Sequence, residues 1–458
     1  MKKLWLVVAL VSLGGLASQT FADVQNIRLS GDIRLRGYYL NGEDFNAGTG
    51  HNDFDASFIA QRTRVSVEAD LEDHVLVVVT LKAEGDWGAD SATSDSTGAG
   101  TGLGSSSDKI NRLWDVGITE AYVQFNELFY TPATLKLGRQ YLHYGRGLIL
   151  SSTEQEYNYD AARLVLDYYP LTIDLVGAQL VNQQGFGGTS LHAGANDLLF
   201  ANARYELSDS AIKDVEMYFG WVSDNTVSPD SLPFGGLTRV PPTVAGTSPL
   251  LVGLRSDINL TEGLQTWIEG AYEFGADGTA NGNTLSAFLF NLGGRYTLKD
   301  VQWAPVLNAG YTFASGGGKG NVDSTFVPWF DYVDGYNGYV FMPALTDIHI
   351  FNVGGSVKPY ENTTLSLQAY YYLRADRDGI AGSNPNVDWG GSTWSGLPSG
   401  VASGQELGWE LDGILGYDYS KDVRLQLVYG VFLPGGAYTD FGISRCVNEV
   451  RGEVNVKF

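Results

Sequence analysis

The chain has 458 residues, with 29 Lys and Arg against 52 Asp and Glu, and a formal net charge of −23. This acidic balance argues against nucleic acid as a partner, and a single cysteine, Cys446, excludes an internal disulfide framework. Glycine is abundant at 58 residues and aromatic residues make up 12% of the chain. That mixture is typical of many strands joined by glycine-containing turns.

The first 22 residues have the pattern of a secretory signal peptide. Lys2 and Lys3 precede an apolar run from Leu4 to about Leu16, and small and polar residues follow as far as Ala22. The run is too short to cross about 30 Å of hydrocarbon as a helix. We expect cleavage after Ala22 and a single mature domain of residues 23–458. Loss of the two lysines changes the net charge from −23 to −25, because residues 1–22 contain no acid.

The first strand pattern of the mature chain runs from Ile27 to Tyr39. A strand points successive side chains to opposite faces, so alternating polarity predicts one apolar and one polar face. The apolar parity begins with Ile27 and Leu29. The polar parity holds Arg28, Ser30, Asp32, Arg34, Arg36 and Tyr38.

About eighteen alternating segments of this kind follow one another along the chain. The last ends on Phe458, and an alternating strand with a C-terminal Phe resembles the signal that the outer-membrane assembly machinery reads in bacterial barrels. We therefore expect that machinery and outer-membrane lipid to be partners of this chain.

The connections between segments decide the fold class. Those after even-numbered segments are short, for example Glu72-Asp73 and Thr261-Glu262, whereas those after odd-numbered segments are mostly long, for example Gly88–Val116 and Ser315–Ala344. Strict long and short alternation is typical of a barrel with short periplasmic turns and long extracellular loops. A soluble sandwich or propeller has no reason to place every long loop at one end. We predict an all-β transmembrane antiparallel β-barrel of about 18 strands in the bacterial outer membrane.

The distribution of charge and aromatic residues supports this prediction. A lipid-facing Arg or Lys at the bilayer midplane costs roughly 2–4 kcal/mol, and most charges in the clearest segments fall on one parity. Aromatic clusters lie near segment ends at Phe129-Tyr130, Tyr168-Tyr169 and Trp303, as interfacial girdles require. Ordinary packing is the alternative interpretation of these clusters.

The polar parity is rich in arginine, whose planar fork binds carboxylate or phosphate bidentately. We predict that these arginines line the path of an anionic solute; the alternative is a salt-bridge ladder that only rigidifies the wall. The acidic total opposes an anion path, but selectivity is set at the constriction and not by the sum of charges. The predicted pathway residues are Arg34, Arg36, Arg62, Arg64, Arg163, Arg204, Arg255, Arg295, Arg374, Glu410 and Asp412.

Several short stretches resemble the alginate export family of outer-membrane barrels. They are Gln61–Asp70, Thr134–Gln140 with Tyr144-Gly145, Tyr159–Leu164, and Gly404–Asp412 followed by Phe432–Gly435. The resemblance implies an 18-stranded pore for an anionic polyuronate. It places four arginines in or near the pore wall, namely Arg62, Arg64, Arg139 and Arg163. Arg139 shares the parity of Leu135 and Leu137, so its place in the lumen requires a bulge or a local exception.

The predicted function is passive passage of a hydrophilic, anionic saccharide or a small anionic solute. A general or cation-preferring porin and a non-conducting structural barrel remain alternatives. The chain has five histidines and no Gly-x-Ser-x-Gly, HExxH or paired-cysteine motif. We therefore expect no catalytic residues, no cofactor and no metal.

Overall fold

Eighteen strands of the described chain form one closed antiparallel sheet, in the number that the sequence predicted. The computed structural model describes residues 26–43, 53–71, 74–87, 116–152, 158–182, 195–207, 210–224, 248–276, 284–326, 329, 337–343, 345–376, 387–389, 392–394, 404–440 and 444–458. The strands are β1 Asn26–Glu43, β2 Asp53–Asp70, β3 Val75–Asp86, β4 Val116–Phe125, β5 Ala133–Gln140, β6 Tyr159–Tyr168, β7 Leu171–Asn182, β8 Ala195–Glu206, β9 Ile212–Asp224, β10 Ser248–Thr261, β11 Leu264–Ala276, β12 Thr284–Thr297, β13 Val306–Ala314, β14 Ile348–Tyr360, β15 Thr363–Arg374, β16 Glu406–Asp418, β17 Val423–Pro434 and β18 Val447–Lys457.

The remaining elements are short. Among the described residues they are a 3-10 turn Leu128–Tyr130, a one-turn helix Gly436–Thr439, and the small paired segments His143–Tyr144 with Leu150–Ser151, Gly318–Lys319 with Val322–Asp323, and Val387–Trp389 with Ser392–Trp394. No helix in this part of the chain is both long and apolar enough to cross a bilayer. The predicted signal peptide lies outside the described residues.

The sheet closes between its first and last strands. β1 and β18 pair antiparallel from Asp32 opposite Lys457 to Asn41 opposite Asn448. Beyond this ladder, Gly31 N donates to Phe458 O at 2.8 Å and Phe458 N donates to Gly31 O at 3.0 Å. A Cβ on Gly31 would lie 2.6 Å from the Phe458 ring, so glycine leaves room for the terminal aromatic side chain.

The outer face of the barrel is apolar and the inner face is polar. On the outward parity Leu254 is 54% exposed and Leu367 is 71% exposed, whereas on the inward parity Asp32 and Arg34 are both 8% exposed. A soluble sheet would show the reverse arrangement. Exposed apolar side chains around a closed sheet are expected only where the surrounding solvent is lipid.

Aromatic side chains lie at both ends of the outer face. At the end with the short turns, Phe129 and Tyr130 are 86% and 97% exposed. At the end with the long loops, Tyr371 stacks on Trp409 with ring centroids 4.2 Å apart, and Tyr311 contacts Phe351 at 4.9 Å. Two such bands are the arrangement that interfacial girdles need.

The buried apolar residues lie largely inside the barrel. They come both from inward strand positions such as Phe200 and Tyr218 and from connections such as Leu148 and Phe341. Segments between strands therefore fold into the lumen and narrow it.

The register predicts opposite outcomes for one substitution at two adjacent positions. Val65→Arg places a charge on the outer face, at a cost of about 2–4 kcal/mol near the midplane, and should impair assembly. Ser66→Arg places the same charge in the lumen, opposite Ser30 and Thr80, and should assemble. The measurement is the fraction of heat-modifiable, folded protein in outer membranes. Equal assembly of the two variants would show that the inside and outside faces are wrongly assigned.

Candidate solute pathway

One connection crosses the lumen after β5. Residues 141–152, here called loop A, bury Leu148, Ile149 and Leu150 completely or nearly so. Leu142 N donates to Ser152 Oγ at 2.8 Å, which ties the two ends of the loop together. An apolar run of this kind is unusual in a long surface loop, and it is the sequence signal that could have predicted an inward position.

Loop A is held by carboxylates on three strands of the wall. Tyr144 Oη donates to Asp174 Oδ2 of β7 at 2.8 Å, Gly145 N donates to Glu216 Oε1 of β9 at 3.2 Å, and Arg146 N donates to Glu269 Oε2 of β11 at 2.9 Å. A charge-assisted hydrogen bond of this kind is worth about 1.5–3 kcal/mol. The three contacts fix the loop across the lumen from β5 to β11.

A second inward segment lies against the opposite wall. Residues 337–343, here called loop B, are held by Glu410 of β16. Its Oε1 accepts hydrogen bonds from Tyr339 N at 2.6 Å and Val340 N at 2.8 Å, and its Oε2 accepts one from Phe341 N at 2.8 Å. The Phe341 ring stacks on Phe432 with centroids 4.3 Å apart. Polar and apolar contacts therefore hold the same segment.

The two predicted acidic pathway residues are both buried beneath loop B. Glu410 is 0% exposed and Asp412 is 1% exposed. Val340 and the Asp412 carboxylate both lie over Gly430, where a Cβ would collide with them. Glu410 supports loop B, Asp412 lies beneath Val340, and neither acid is open to a passing solute.

The arginines of β1 and β2 form a compact network with acids. Arg62 and Arg64 contact opposite oxygens of Asp32 at 3.1 and 2.6 Å. Arg36 contacts Glu453 at 2.5 Å, and Arg34 lies 4.0 Å from Glu84. The network spans the seam between β18, β1, β2 and β3, because the register sets these side chains opposite one another.

Most other predicted arginines also meet a carboxylate. The pairs are Arg163 with Asp174 at 2.5 Å, Arg204 with Asp214 at 2.7 Å, Arg255 with Glu216 at 2.8 Å, and Arg374 with Asp347 at 3.3 Å. Arg295 differs, since its Nε donates to the neutral Gln265 Oε1 at 2.5 Å and no carboxylate within the described ranges bonds to it. Most of the predicted pathway arginines are thus neutralised locally by a neighbouring acid.

Arg139 lies on the outer face of the barrel. β4 and β5 pair without a register shift, so Arg139 keeps the outward parity of Leu137, opposite Ala121. Its Nε and one terminal nitrogen reach both oxygens of Asp160 at 2.8 and 2.9 Å. The structure therefore differs from the expectation that Arg139 lines the pore. The two charges neutralise each other near the long-loop end, where an outward charge costs least.

A cavity of about 390 Å³ lies between the two inner loops and the wall of β11 to β17. Asn308 and Gln368, which both line it, form two hydrogen bonds with each other, at 3.0 and 3.2 Å. Trp267 Nε1 donates to Asn291 Oδ1 at 2.9 Å. The lining residues are Arg146, Trp267, Asn291, Asn308, Gly310, Thr312, Asn337, Tyr339, Ile350, Asn352, Ser366, Gln368, Tyr370, Ile414, Arg424 and Gln426. Amides and hydroxyls dominate this surface, and none of the described residues that line it is a carboxylate.

Inward glycines keep this cavity open. Trp267 lies over Gly293, Asn352 lies over Gly310, and Gln368 lies over Gly354, and in each case a Cβ on the glycine would collide with the neighbouring side chain. Side chains that lie flat along the wall occupy less of the lumen than side chains that point to its centre. The Arg146 guanidinium then covers the Trp267 ring, 4.2 Å from its centroid.

Comparison with known proteins explains this architecture. The alginate export family model matches residues 26–449. The chain belongs to the alginate export family. This confirms the resemblance seen in the sequence and places this family member in the bacterial outer membrane. No curated protein matches its sequence significantly.

Solved structures of other outer-membrane barrels share the fold at low sequence identity. OccAB1 of Acinetobacter baumannii is 13% identical, with 96% of this chain and 99% of that chain covered and a TM-score of 0.56. OccK8 (OprE) of Pseudomonas aeruginosa is 12% identical, with 96% and 99% covered and a TM-score of 0.55. OpdK of Pseudomonas aeruginosa, solved with vanillate, is 11% identical, with 94% and 98% covered and a TM-score of 0.53.

The family and the fold are those of outer-membrane channels. In barrels of this class the short turns face the periplasm and the long loops face the cell exterior. Loops A and B therefore enter the lumen of this alginate export family member from the extracellular side.

One buried acid lies outside the membrane-spanning strands on that side. Asp347 precedes β14, accepts from Asp376 N at 2.7 Å and from Arg374 Nε at 3.3 Å, and is 0% exposed. Burial raises the pKa of Asp347 from its ordinary 3.8 to about 6, against the opposing effects of these hydrogen bonds and of the Arg374 charge.

We expect Glu410→Ala to release loop B. The variant leaves the three backbone N–H groups of residues 339–341 without their acceptor, so the single-channel conductance and its open-state noise should rise. Glu361→Ala removes the same charge from the exposed β14–β15 turn at the periplasmic end, away from loop B, and serves as the control. An unchanged conductance in Glu410→Ala, or an equal rise in the control, would contradict the anchoring role.

The raised pKa of Asp347 predicts that the local stability depends on pH where β13, β14 and β15 meet. Between pH 3.8 and about 6 the folded state binds more protons than the unfolded state, so the free energy of local unfolding should fall as the pH rises through 6. Hydrogen exchange of residues 345–347, corrected for intrinsic rates and measured from pH 4 to pH 8, should show this loss of protection. Asp347→Asn should abolish the dependence, and its persistence in the variant would assign it to another group.

Proposed function

We propose that this outer-membrane channel passes a hydrophilic, anionic saccharide or a small carboxylated solute by passive diffusion. The observation that carries the proposal is the composition of the 390 Å³ cavity. Its lining combines amides, hydroxyls and the two arginines Arg146 and Arg424, with no carboxylate among the described residues. This surface suits a solute with many hydroxyl groups and an occasional negative charge.

The chemistry of the lining matches the groups of a sugar acid. Amide and hydroxyl side chains such as Asn352, Gln426 and Thr312 both donate and accept, as sugar hydroxyls do. Arginine is the side chain best shaped for a carboxylate, and Arg146 presents its guanidinium against the Trp267 ring. Many weak contacts along a wall permit passage, because a solute must leave each one as readily as it enters.

The acidic composition of the chain does not oppose this pathway. Glu216, Glu269 and Glu410 accept backbone hydrogen bonds of the inner loops, so their charge is turned toward the protein. The arginine network around Asp32 rigidifies the seam side of the wall. We propose that the solute follows the wall from β11 to β17, and that Arg146 is the positive group it meets beside loop A, with Arg424 at the start of β17.

We also propose that the last strand takes part in the insertion of the barrel into the outer membrane. Phe458 is 57% exposed and lies on the outer face beside Gly31. An exposed aromatic residue directly after β18 would be available to the outer-membrane assembly machinery before the seam between β1 and β18 closes.

The test measures ion selectivity and block in a planar bilayer. Under a KCl gradient the reversal potential should indicate anion preference, and a short oligogalacturonate should block the current where an uncharged oligosaccharide of equal length does not.

Arg146→Gln should weaken the block about tenfold, because it removes the guanidinium that binds the carboxylate. Loop A should keep its position in this variant, since the backbone N of residue 146 still donates to Glu269. Arg28→Gln is the control, because Arg28 pairs with Glu68 and Asp70 outside the cavity.

The alternatives give different results in the same measurement. Cation preference without block would mean that acids control the lumen and that the protein is a general or cation-preferring porin. The absence of conductance would mean that loops A and B close the lumen, and the barrel would then have a structural role.

A further inference from the structure

A second cavity lies at the periplasmic mouth of the lumen. Its volume is about 680 Å³, and it lies beside the β10–β11 turn and the start of the β12–β13 connection. Its lining residues are Asn259, Thr261, Glu262, Gly263, Gln265, Arg295, Thr297, Lys299 and Val306. None of them belongs to loop A or loop B, so this cavity is separate from the constriction.

The strand register assembles the polar wall of this cavity. Asn259 of β10 lies opposite Gln265 of β11, and Gln265 lies opposite Arg295 of β12. All three have the inward parity, and Arg295 is exposed to the lumen. Three neighbouring strands thus present two amides and a guanidinium in one row, near the point where a solute from the periplasm enters.

The orientation of Arg295 is set by an amide and not by an acid. Its Nε donates to Gln265 Oε1 at 2.5 Å, which uses one of the five guanidinium N–H groups. The terminal nitrogens form the fork that binds carboxylates. Among the described arginines predicted to line the pathway, Arg295 is the one with no carboxylate partner in the structure.

The cavity carries a positive excess. Glu262 is the single carboxylate among the described residues that line it. Its Oε1 accepts from Lys299 Nζ at 3.2 Å in the turns, where the two side chains are 87% and 60% exposed. This pair is neutral as a whole. Arg295 therefore supplies the uncompensated charge of this cavity.

We propose that Arg295, Gln265 and Asn259 form a periplasmic subsite for the carboxylate of a sugar acid. The guanidinium fork binds the carboxylate, and the amides of Asn259 and Gln265 bind adjacent hydroxyl groups. The subsite rests on the proposed function and adds to it a first contact for solute on the periplasmic side.

The subsite lies on the same wall as the inner cavity. Arg295 and Asn291 are four residues apart on β12, which corresponds to roughly 13 Å along the strand, and Gln265 is two residues from Trp267 on β11. A solute released by Arg295 therefore reaches the inner cavity beside Arg146 along the same wall, without crossing the lumen. Because the inner loops enter from the extracellular side, the two mouths of the channel are chemically different. Solute that enters from the periplasm along β12 meets Arg295 before it reaches Arg146.

The test compares block from the two sides of the membrane. Trigalacturonate is added to one side of oriented single channels, and maltotriose is the uncharged control. In the wild-type channel the rate of blocking events should be higher from the periplasmic side. Arg295→Gln should lower that rate about tenfold and leave the extracellular rate nearly unchanged, and Arg295→Lys should give an intermediate rate. Arg28→Gln removes an inward arginine elsewhere on the same mouth and should leave both rates unchanged.

The outcomes separate this proposal from the proposed function. Block that is unaffected by Arg295→Gln, or is lowered equally from both sides, would overturn the subsite and leave the channel for anionic saccharide standing. An equal effect of Arg28→Gln would assign the change to the general charge of the mouth and would also overturn the subsite. The absence of trigalacturonate block in the wild-type channel from either side would overturn both proposals.

Discussion

The whole structure depends on one constraint, which is that no backbone N–H or C=O group can be left unpaired in lipid. A sheet meets it only by closing on itself, as β1 and β18 do between Asp32 and Asn41. Closure gives every strand an outer face toward hydrocarbon and an inner face toward water. The period-2 alternation of the chain, the apolar exterior and the polar lumen are consequences of that closure.

A second constraint acts inside the lumen. A loop that folds inward brings backbone N–H groups away from bulk water, and each needs an acceptor. The wall supplies carboxylates, with Glu216 and Glu269 for loop A and Glu410 for loop B. These three acids therefore have a structural role, and the cavity between the inner loops and the wall is lined by amides, hydroxyls and arginines. Charge counted along a sequence and charge presented to a solute are different quantities.

The strands could be predicted from the sequence because their signal is local. Alternation of polar and apolar residues over about ten positions predicts strands such as β10 and β16. The lengths of the connections predict which end of each strand lies on the extracellular side. Arg139 shows both the strength and the limit of this reasoning. Its parity with Leu135 and Leu137 pointed outward, and the structure agrees with the parity and not with the place in the pore that the family resemblance implied. β9 has a weaker alternation of polar and apolar residues, because Tyr218 and Gly220 on its inward face are uncharged and lie beside other inward groups such as Phe200.

The sequence by itself determined the number of strands, the two faces of each strand and the end that carries the long loops, since each follows from neighbouring residues. Only the tertiary structure decided which polar residues remain open to a solute. Arg146 is 123 residues from Glu269 and Tyr339 is 71 residues from Glu410, yet these contacts shape the constriction. No local pattern encodes such pairs. They arise when the closed barrel brings distant strands around one lumen, and the loops then take the acceptors that the wall provides.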